Sequence, residues 1–311
     1  MSCFHATTSV NNKIGTGYNF DLFEGVERKQ ATTYFIGSKF QNDMPLKVDK
    51  KNIKNGIVKN KEITISCYQN KEKLREKFNF KDNGFQFCAL SDELTASVEQ
   101  FGSHRFEENY YSEISALATQ FITGWGEKNN IEFSAVIPLG FNYRDQDIRN
   151  PNDMKPFLIT HVDFEKSSIA QTLMSVEKTW KPQFEAVLGE KSHQEYLSLP
   201  ITQIVNLWMP LNKRPTKNGL AMMDTSSIGS EKSLRPFTSV PANGSAPFKS
   251  LSLRHDKKQV WIAQKSMTLG NGVIFNSFKT PHSAVELAED LGVQYDKYRK
   301  SVEGRFAFIK Y

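Results

Sequence analysis

Apolar residues recur along this chain with two different periods. Over residues 110–123 they fall at Ile114, Leu117, Ala118, Phe121 and Ile122, spaced i, i+3, i+4, i+7, i+8. That spacing is one face of a helix and predicts a helix laid against a sheet. Elsewhere the apolar positions come in short runs rich in Ile, Val, Phe and Trp. Two lie in the N-terminal third, at 31–37 and 62–68, among polar linkers. From 131 onward they follow one another at 131–138, 156–164, 201–211, 219–223, 259–263, 272–278 and 304–311, punctuated by Gly, Pro and Asn. Many short strands with such punctuation predict a β-sandwich or barrel. Two inserted helices are predicted after the second of these runs. One covers 167–180 behind a serine start; the other covers 181–190, with Pro182 in its first turn and Gly189 at its end. The Ser-, Pro- and Gly-rich stretch 224–250 is read as a mobile lid or a surface insertion, since a loop that long is uncommon inside a compact domain. The expectation is a β-rich fold, an all-β core with added helices. It forms one domain over 1–311, with a mixed α/β elaboration at 1–130 and the core at 131–311.

Composition narrows this picture. A length of 311 residues suits one large β-rich domain, and 12% aromatic residues, with 23 Phe, supply a substantial core. The formal charge of +6 raises nucleic acid as a partner. Lysines in stretches such as 47–62 alternate with polar residues, however, as on a solvated face, so no nucleic-acid partner is expected. The excess leaves a modest positive field that favours anionic ligands. No run approaches the ~18 apolar residues of a membrane span, and the first thirty residues lack a basic start and an apolar run. Cys3, Cys67 and Cys88 are odd in number and lack C-x-x-C spacing, which predicts reduced thiols, a cytoplasmic setting and no zinc knuckle. Nothing in the pattern sets an oligomeric state.

The candidate chemistry begins at His161 and Asp163. In a strand, residues two apart share a face, so the imidazole and the carboxylate project together. Alone the pair is weak, because six histidines readily yield such a pair by chance. His282 supplies a third group. It directly follows the run 272–278, and Pro281 biases Thr280 toward an extended conformation. Two histidines and a carboxylate leave cis positions open on a metal, the arrangement of non-haem iron(II) oxygenases. The remaining histidines, His5, His104, His193 and His255, sit in polar or charged stretches and read as surface. Arg305 begins the last apolar run and shares a face with Ala307 and Ile309. A guanidinium there can grip a carboxylate through two parallel hydrogen bonds. Arg299, in a charged run, is the alternative.

H-x-D early, T-P-H late and an arginine on the final strand resemble the 2-oxoglutarate/iron(II) dioxygenases of the double-stranded β-helix (jelly-roll, cupin-like) fold. Residues 150–311 look like the hydroxylase/desaturase branch related to the aspergillic-acid hydroxylase and the cephamycin methoxylation subunit. The matching text is ITHVDF (159–164), IVNLWMPL (204–211), LAMMDTSSI (220–228), QVWIAQKSMTLGNGVIFNSFKT (259–280), TPHSAVEL (280–287) and SVEGRFAFIKY (301–311). A secondary likeness is to oxidative cyclases of the red-algal kainoid-synthase type, which no motif singles out. The chain departs from the branch where N-x-W-R-P-L carries Met209 in place of arginine. It departs again at Ser226, where an arginine commonly follows Asp-Ala. These losses are expected to remodel a substrate pocket and spare the metal site. The 23-residue step from His282 to Arg305 suits this branch and is long for the superfamily.

The resemblance implies iron(II), 2-oxoglutarate and O2, with His161, Asp163 and His282 as metal ligands. It implies Arg305, Asn206, Trp208 and Thr280 around the co-substrate, although plain core is an equally good reading of Trp208. It implies oxidation of an unactivated C–H bond of a small molecule by hydroxylation, desaturation or ring closure. The setting would be secondary metabolism, on an amino-acid-derived or carboxylate-bearing substrate. Asp163 fills the position that radical halogenases leave to chloride, so halogenation is disfavoured. Two other classes stay open. A zinc hydrolase would need a general base, and no H-E-x-x-H motif is present. A non-catalytic β-barrel binder would have no use for the triad and Arg305 together.

Overall fold

The computed structural model describes residues 26–46, 50–104, 107–147, 155–169, 177–190, 195, 198, 201–216, 218–230, 233–239, 247–287 and 295–310. Two facing sheets carry the fold. The larger contains β1 (Val26–Ile36), β2 (Val58–Tyr68), β5 (His161–Val162), β7 (Asn218–Met223), β8 (Leu234–Ser239), β9 (Phe248–Leu253), β10 (Trp261–Gln264) and β12 (His282–Leu287). Their order is β1-β2-β10-β7-β12-β5-β9-β8, and β1 also pairs with β12. The smaller sheet has the order β3-β11-β6-β13-β4, from β3 (Phe85–Ala89), β11 (Asn271–Asn276), β6 (Ile201–Pro210), β13 (Lys300–Ile309) and β4 (Ala135–Asp145). Together they form the β-rich core expected from the spacing of apolar runs, arranged as the jelly roll that the family resemblance implies. β1, β2 and β3 belong to these sheets, so residues before 130 build part of both layers.

The smaller sheet is buried on both faces, which is why its strands read as near-continuous apolar runs. Val205, Leu207 and Met209 on β6 and Val302, Phe306 and Phe308 on β13 face outward onto α4 (Asp92–His104) and α5 (Glu108–Lys128). α5 presents Ile114, Ala118, Ile122 and Trp125 to that layer, and Leu117 and Phe121 pack partly against it. Gly126 permits the close approach, because a Cβ there would lie 2.7 Å from the Phe308 ring. The shorter helices α1 (Lys50–Lys54), α2 (Lys71–Lys77) and α3 (Phe80–Asn83) precede β3, and α1 has no buried residue. Its lysines are the solvated face expected for that stretch. Between the sheets, Trp208, Val273 and Phe275 of one meet Leu220, Met222 and Ile262 of the other. No helix of the described residues is long and apolar enough to cross a membrane.

Two expectations are corrected. The stretch 224–250 is not a structureless lid. Residues Leu234–Ser239 form β8, paired antiparallel with β9 at the edge of the large sheet, while 231–232 and 240–246 lie outside the described residues. Its apolar content is low because an edge hairpin buries little, and Phe237 alone reaches full burial in β8. The helix boundary at 180/181 is also absent. One helix, α6 (Glu177–Leu188), runs through it with Pro182 inside, while 170–176 lie outside the described residues. Met209 faces the helix layer, and Ser226 lies in a turn that Asp224 caps, its N–H and Oγ both donating to Asp224 Oδ1.

Candidate metal centre

The run 156–164 contributes only the two-residue strand β5 and a bridge from Ile159 to Tyr34. It is held by side chains instead. Ser252 Oγ donates to the Thr160 carbonyl at 3.0 Å, and Ser250 Oγ donates to the Asp163 carbonyl at 2.7 Å. Both serines belong to β9, so the strand that begins inside the stretch first read as a lid supports this segment. The Phe164 N–H donates to the Ser277 carbonyl at 3.1 Å, tying the segment to the end of β11 in the other sheet.

His161 and His282 face one another in register across β5 and β12, with ring centroids 4.3 Å apart. His161 Nδ1 contacts the Ile159 carbonyl at 2.8 Å, and His282 Nδ1 contacts the Thr280 carbonyl at 3.1 Å. A carbonyl only accepts, so each Nδ1 carries a proton, which leaves each Nε2 as the nitrogen that can offer a lone pair to a metal. Those Nε2 atoms lie 3.5 Å and 3.9 Å from Asp163 Oδ1. The three residues offer ligand atoms within 4.8 Å of one another, all buried. Phe157 packs on His161 and Phe275 on His282, which fixes both rings and excludes water.

The carboxylate has its own orienting chain. Asn206 Nδ2 donates to Asp163 Oδ2 at 2.6 Å, and Ser277 Oγ donates to Asn206 Oδ1 at 2.6 Å. Arg305 Nη2 lies 3.4 Å from Asp163 Oδ1 and 2.9 Å from Glu303 Oε1, with the guanidinium over the Phe164 ring. Burial would push the Asp163 carboxyl up, but Arg305, His282 and His161 outweigh it and hold the group well below the ordinary carboxylate range. Burial and the neighbouring His161 push His282 down to about 3, so its imidazole is neutral at physiological pH.

The other expected residues divide. Asn206 and Trp208 lie on the interior face of β6, and Trp208 Nε1 is buried without a hydrogen-bond partner. Arg305 keeps an equally unpartnered Nε. Thr280 does not face a ligand. Its Oγ1 donates to the Gly84 carbonyl at 2.7 Å, which corrects the expectation that it would reach an oxo acid. Sequence reasoning missed Ser277, Ser250 and Glu303. The serines carried no signal, whereas Glu303 stands two residues before Arg305 and alternation alone places it on the same face. His104 is exposed on Glu107 and His255 packs on Phe35, away from this centre; His5 and His193 lie outside the described residues.

A sequence family described as oxidoreductase/YMDC permease-like domain matches residues 29–308. No curated protein matches the chain. Among solved structures, one of the iron and alpha-ketoglutarate-dependent endoperoxidase NvfI superposes with TM-score 0.63 at 15% identity, covering 93% of this chain and 99% of that one. A second NvfI structure gives TM-score 0.62 at 14% identity, with the same coverage. The non-heme alpha ketoglutarate dependent epimerase SnoN from nogalamycin biosynthesis gives TM-score 0.43 at 11% identity over 76% of this chain and 82% of that one. The NvfI likeness is one of fold.

Proposed function

The chain belongs to the oxidoreductase/YMDC permease-like domain family, and we propose that it is an iron(II)- and 2-oxoglutarate-dependent oxygenase acting on a small molecule. The observation that carries this reading is the convergence of two Nε2 lone pairs and one buried carboxylate oxygen at His161, His282 and Asp163. Two imidazoles that each present Nε2, with one carboxylate, are the donor set that suits iron(II) with open positions. Their Nδ1 carbonyl contacts and the Asn206 bond are the outer partners that fix such ligands. The donor set therefore fits the metal. The unpartnered Nε of Arg305 fits a co-substrate carboxylate, because a buried N–H without an acceptor costs about 1–3 kcal/mol.

Iron(II) with 2-oxoglutarate and O2 supplies oxidative decarboxylation to succinate and CO2, coupled to oxidation of a substrate C–H bond. The protein supplies position. His161, Asp163 and His282 would hold the metal. Asn206 keeps one Asp163 oxygen occupied, so Oδ1 is the oxygen turned to the histidines. Arg305 orients an anionic co-substrate beside Asp163, with Glu303 steadying the guanidinium. Phe157, Phe164 and Phe275 keep the surroundings dry. The substrate class is an amino-acid-derived or carboxylate-bearing secondary metabolite, and the setting is the cytoplasm.

The test is an anaerobic titration with iron(II) and 2-oxoglutarate, followed by succinate measurement in air. A weak visible charge-transfer band should appear, and His161→Ala or His282→Ala should remove both band and succinate. Arg305→Leu should raise the apparent KM for 2-oxoglutarate by about tenfold or more, as expected for losing a charge-assisted pair, with iron affinity nearly unchanged. Near-normal turnover in either histidine variant would end the metal assignment.

A further inference from the structure

Thr33 and Ser283 break the pattern of their strands. β1, β2, β10, β7 and β12 close into a ring, because β1 pairs with β12 as well as with β2. Alternate residues of these strands meet in one apolar cluster, with Ala31 and Phe35 from β1 and Val285 from β12. Thr33 shares the face of Ala31 and Phe35, and Ser283 shares that of Val285, so alternation calls for apolar residues at both positions. Both carry hydroxyls instead, and both are fully buried. Burying a hydroxyl costs free energy unless it is bonded, whereas valine and alanine would fill the same space without that cost. These two hydroxyls bond to each other at 2.7 Å. Thr33 Oγ1 also donates to the Leu158 carbonyl at 2.8 Å, and Ser283 Oγ lies 3.1 Å from the same carbonyl.

The hydroxyl pair thus joins the two segments that carry the histidines. Leu158 comes shortly before His161, and Ser283 directly follows His282. The His161 segment has little sheet of its own, since β5 is two residues long and pairs with β12 at the single position His161–His282. A further tie to β12 is the Ala284 N–H, which donates to the Phe157 carbonyl at 3.1 Å. β1 adds the Tyr34 N–H, which donates to the Leu158 carbonyl at 3.2 Å, and the Tyr34 carbonyl, which accepts from the Thr160 N–H at 2.8 Å. We propose that Thr33, acting with Ser283, is a positioning residue for the metal centre: its hydroxyl fixes the distance between the His161 and His282 segments. The proposal rests on the metal assignment and adds to it a residue of β1, a strand that supplies no ligand. Two imidazoles must offer Nε2 to one ion at once, so freedom of one segment against the other subtracts from metal affinity.

The probe is Mn(II), titrated calorimetrically into metal-free protein whose unfolding midpoint is measured alongside. Thr33→Val keeps the volume and the branching and removes the hydroxyl, and the Ser283 proton then turns to the Ala284 carbonyl, 3.0 Å from its Oγ. Mn(II) affinity should fall about tenfold, the lower end of what losing an outer partner costs. Thr33→Ser restores the hydroxyl without the methyl group. It should bind Mn(II) within about twofold of the wild type, although the missing methyl lowers its midpoint. A merely structural role predicts instead that affinity follows the midpoint in both variants. Thr33→Val that binds Mn(II) like the wild type overturns the proposal, as does Thr33→Ser that loses as much affinity as Thr33→Val. If Thr33→Val does not fold, Ser283→Ala removes the other end of the pair and decides by the same titration. If the wild-type protein binds no Mn(II), the metal assignment itself fails. Amide hydrogen exchange in metal-free protein then judges whether the hydroxyl holds the two segments together. The Thr160 and Ala284 N–H groups should exchange about tenfold faster in Thr33→Val than in the wild type, and equal rates overturn the positioning role.

Discussion

Asn206→Ala removes the amide that joins Ser277 to Asp163. The native amide donates to Asp163 Oδ2 at 2.6 Å and accepts from Ser277 Oγ at 2.6 Å, with Asn206 and Ser277 both fully buried. A hydrogen bond to a charged group contributes about 1.5–3 kcal/mol and a neutral one about 0.5–1.5 kcal/mol. Allowing for partial relaxation into the space left, the metal-free variant should lose about 2–4 kcal/mol. For a chain of this size that lowers the unfolding midpoint by roughly 3–6 °C. The freed Asp163 carboxylate is also no longer held with Oδ1 toward the histidines. Loss of such an outer partner lowers metal affinity by about 10–100-fold. Calorimetric titration with Mn(II), alongside melting without metal, measures both effects. Asn206→Asp keeps the shape but sets an acceptor against an acceptor, so it should bind metal no better than Asn206→Ala. If Asn206→Ala binds Mn(II) within twofold of the wild type and melts within 1 °C, the amide does not orient the carboxylate.

Two further outcomes follow from the same geometry. Gly84 has φ of +82°, and a Cβ there would sit 2.6 Å from Thr280 Oγ1 and 2.5 Å from Thr225 Cγ2. Gly84→Ala should therefore destabilise by about 1–3 kcal/mol and loosen the approach to His282; an unchanged unfolding midpoint would contradict this. Cys88 has its thiol pushed up to about 12 by burial, with Arg75 only partly opposing. An unfolded thiol titrates near ~8.5, so the folded chain holds this proton longer. The stability it contributes is complete below that value and is lost as pH rises toward 12. Peptide-level mass spectrometry at pH 8 should show Cys88 alkylated at least ~100-fold more slowly than a model thiol; equal rates would sink the assignment.

The sequence by itself determined the elements whose burial is periodic. α5 and the strands β6, β11 and β13 were legible because a layer buried on one or both faces imposes a repeat that side-chain chemistry displays. His161, Asp163, His282 and Arg305 were legible for a related reason. Spacing of two on a strand, or a place beside an apolar run, survives any detail of packing. What only the tertiary structure decided depends on contacts between residues far apart in the chain. β8 buries little and the buried part of β9 is mostly serine, so composition read the stretch 224–250 as loop, although Ser250 and Ser252 of β9 clamp the very segment that bears His161. Thr280 has the right place in sequence, but the Gly84 carbonyl 196 residues away takes its hydroxyl. Met209 and Trp208 are neighbours of similar character, and only the register of β6 against β13 sends one to the helix layer and the other to the interior. Arg299 is the extreme case. A charged run that looks solvated is drawn under the barrel because its guanidinium reaches the Gly219 carbonyl on the opposite sheet. No local pattern encodes that contact, because its partner is fixed by how two sheets face each other.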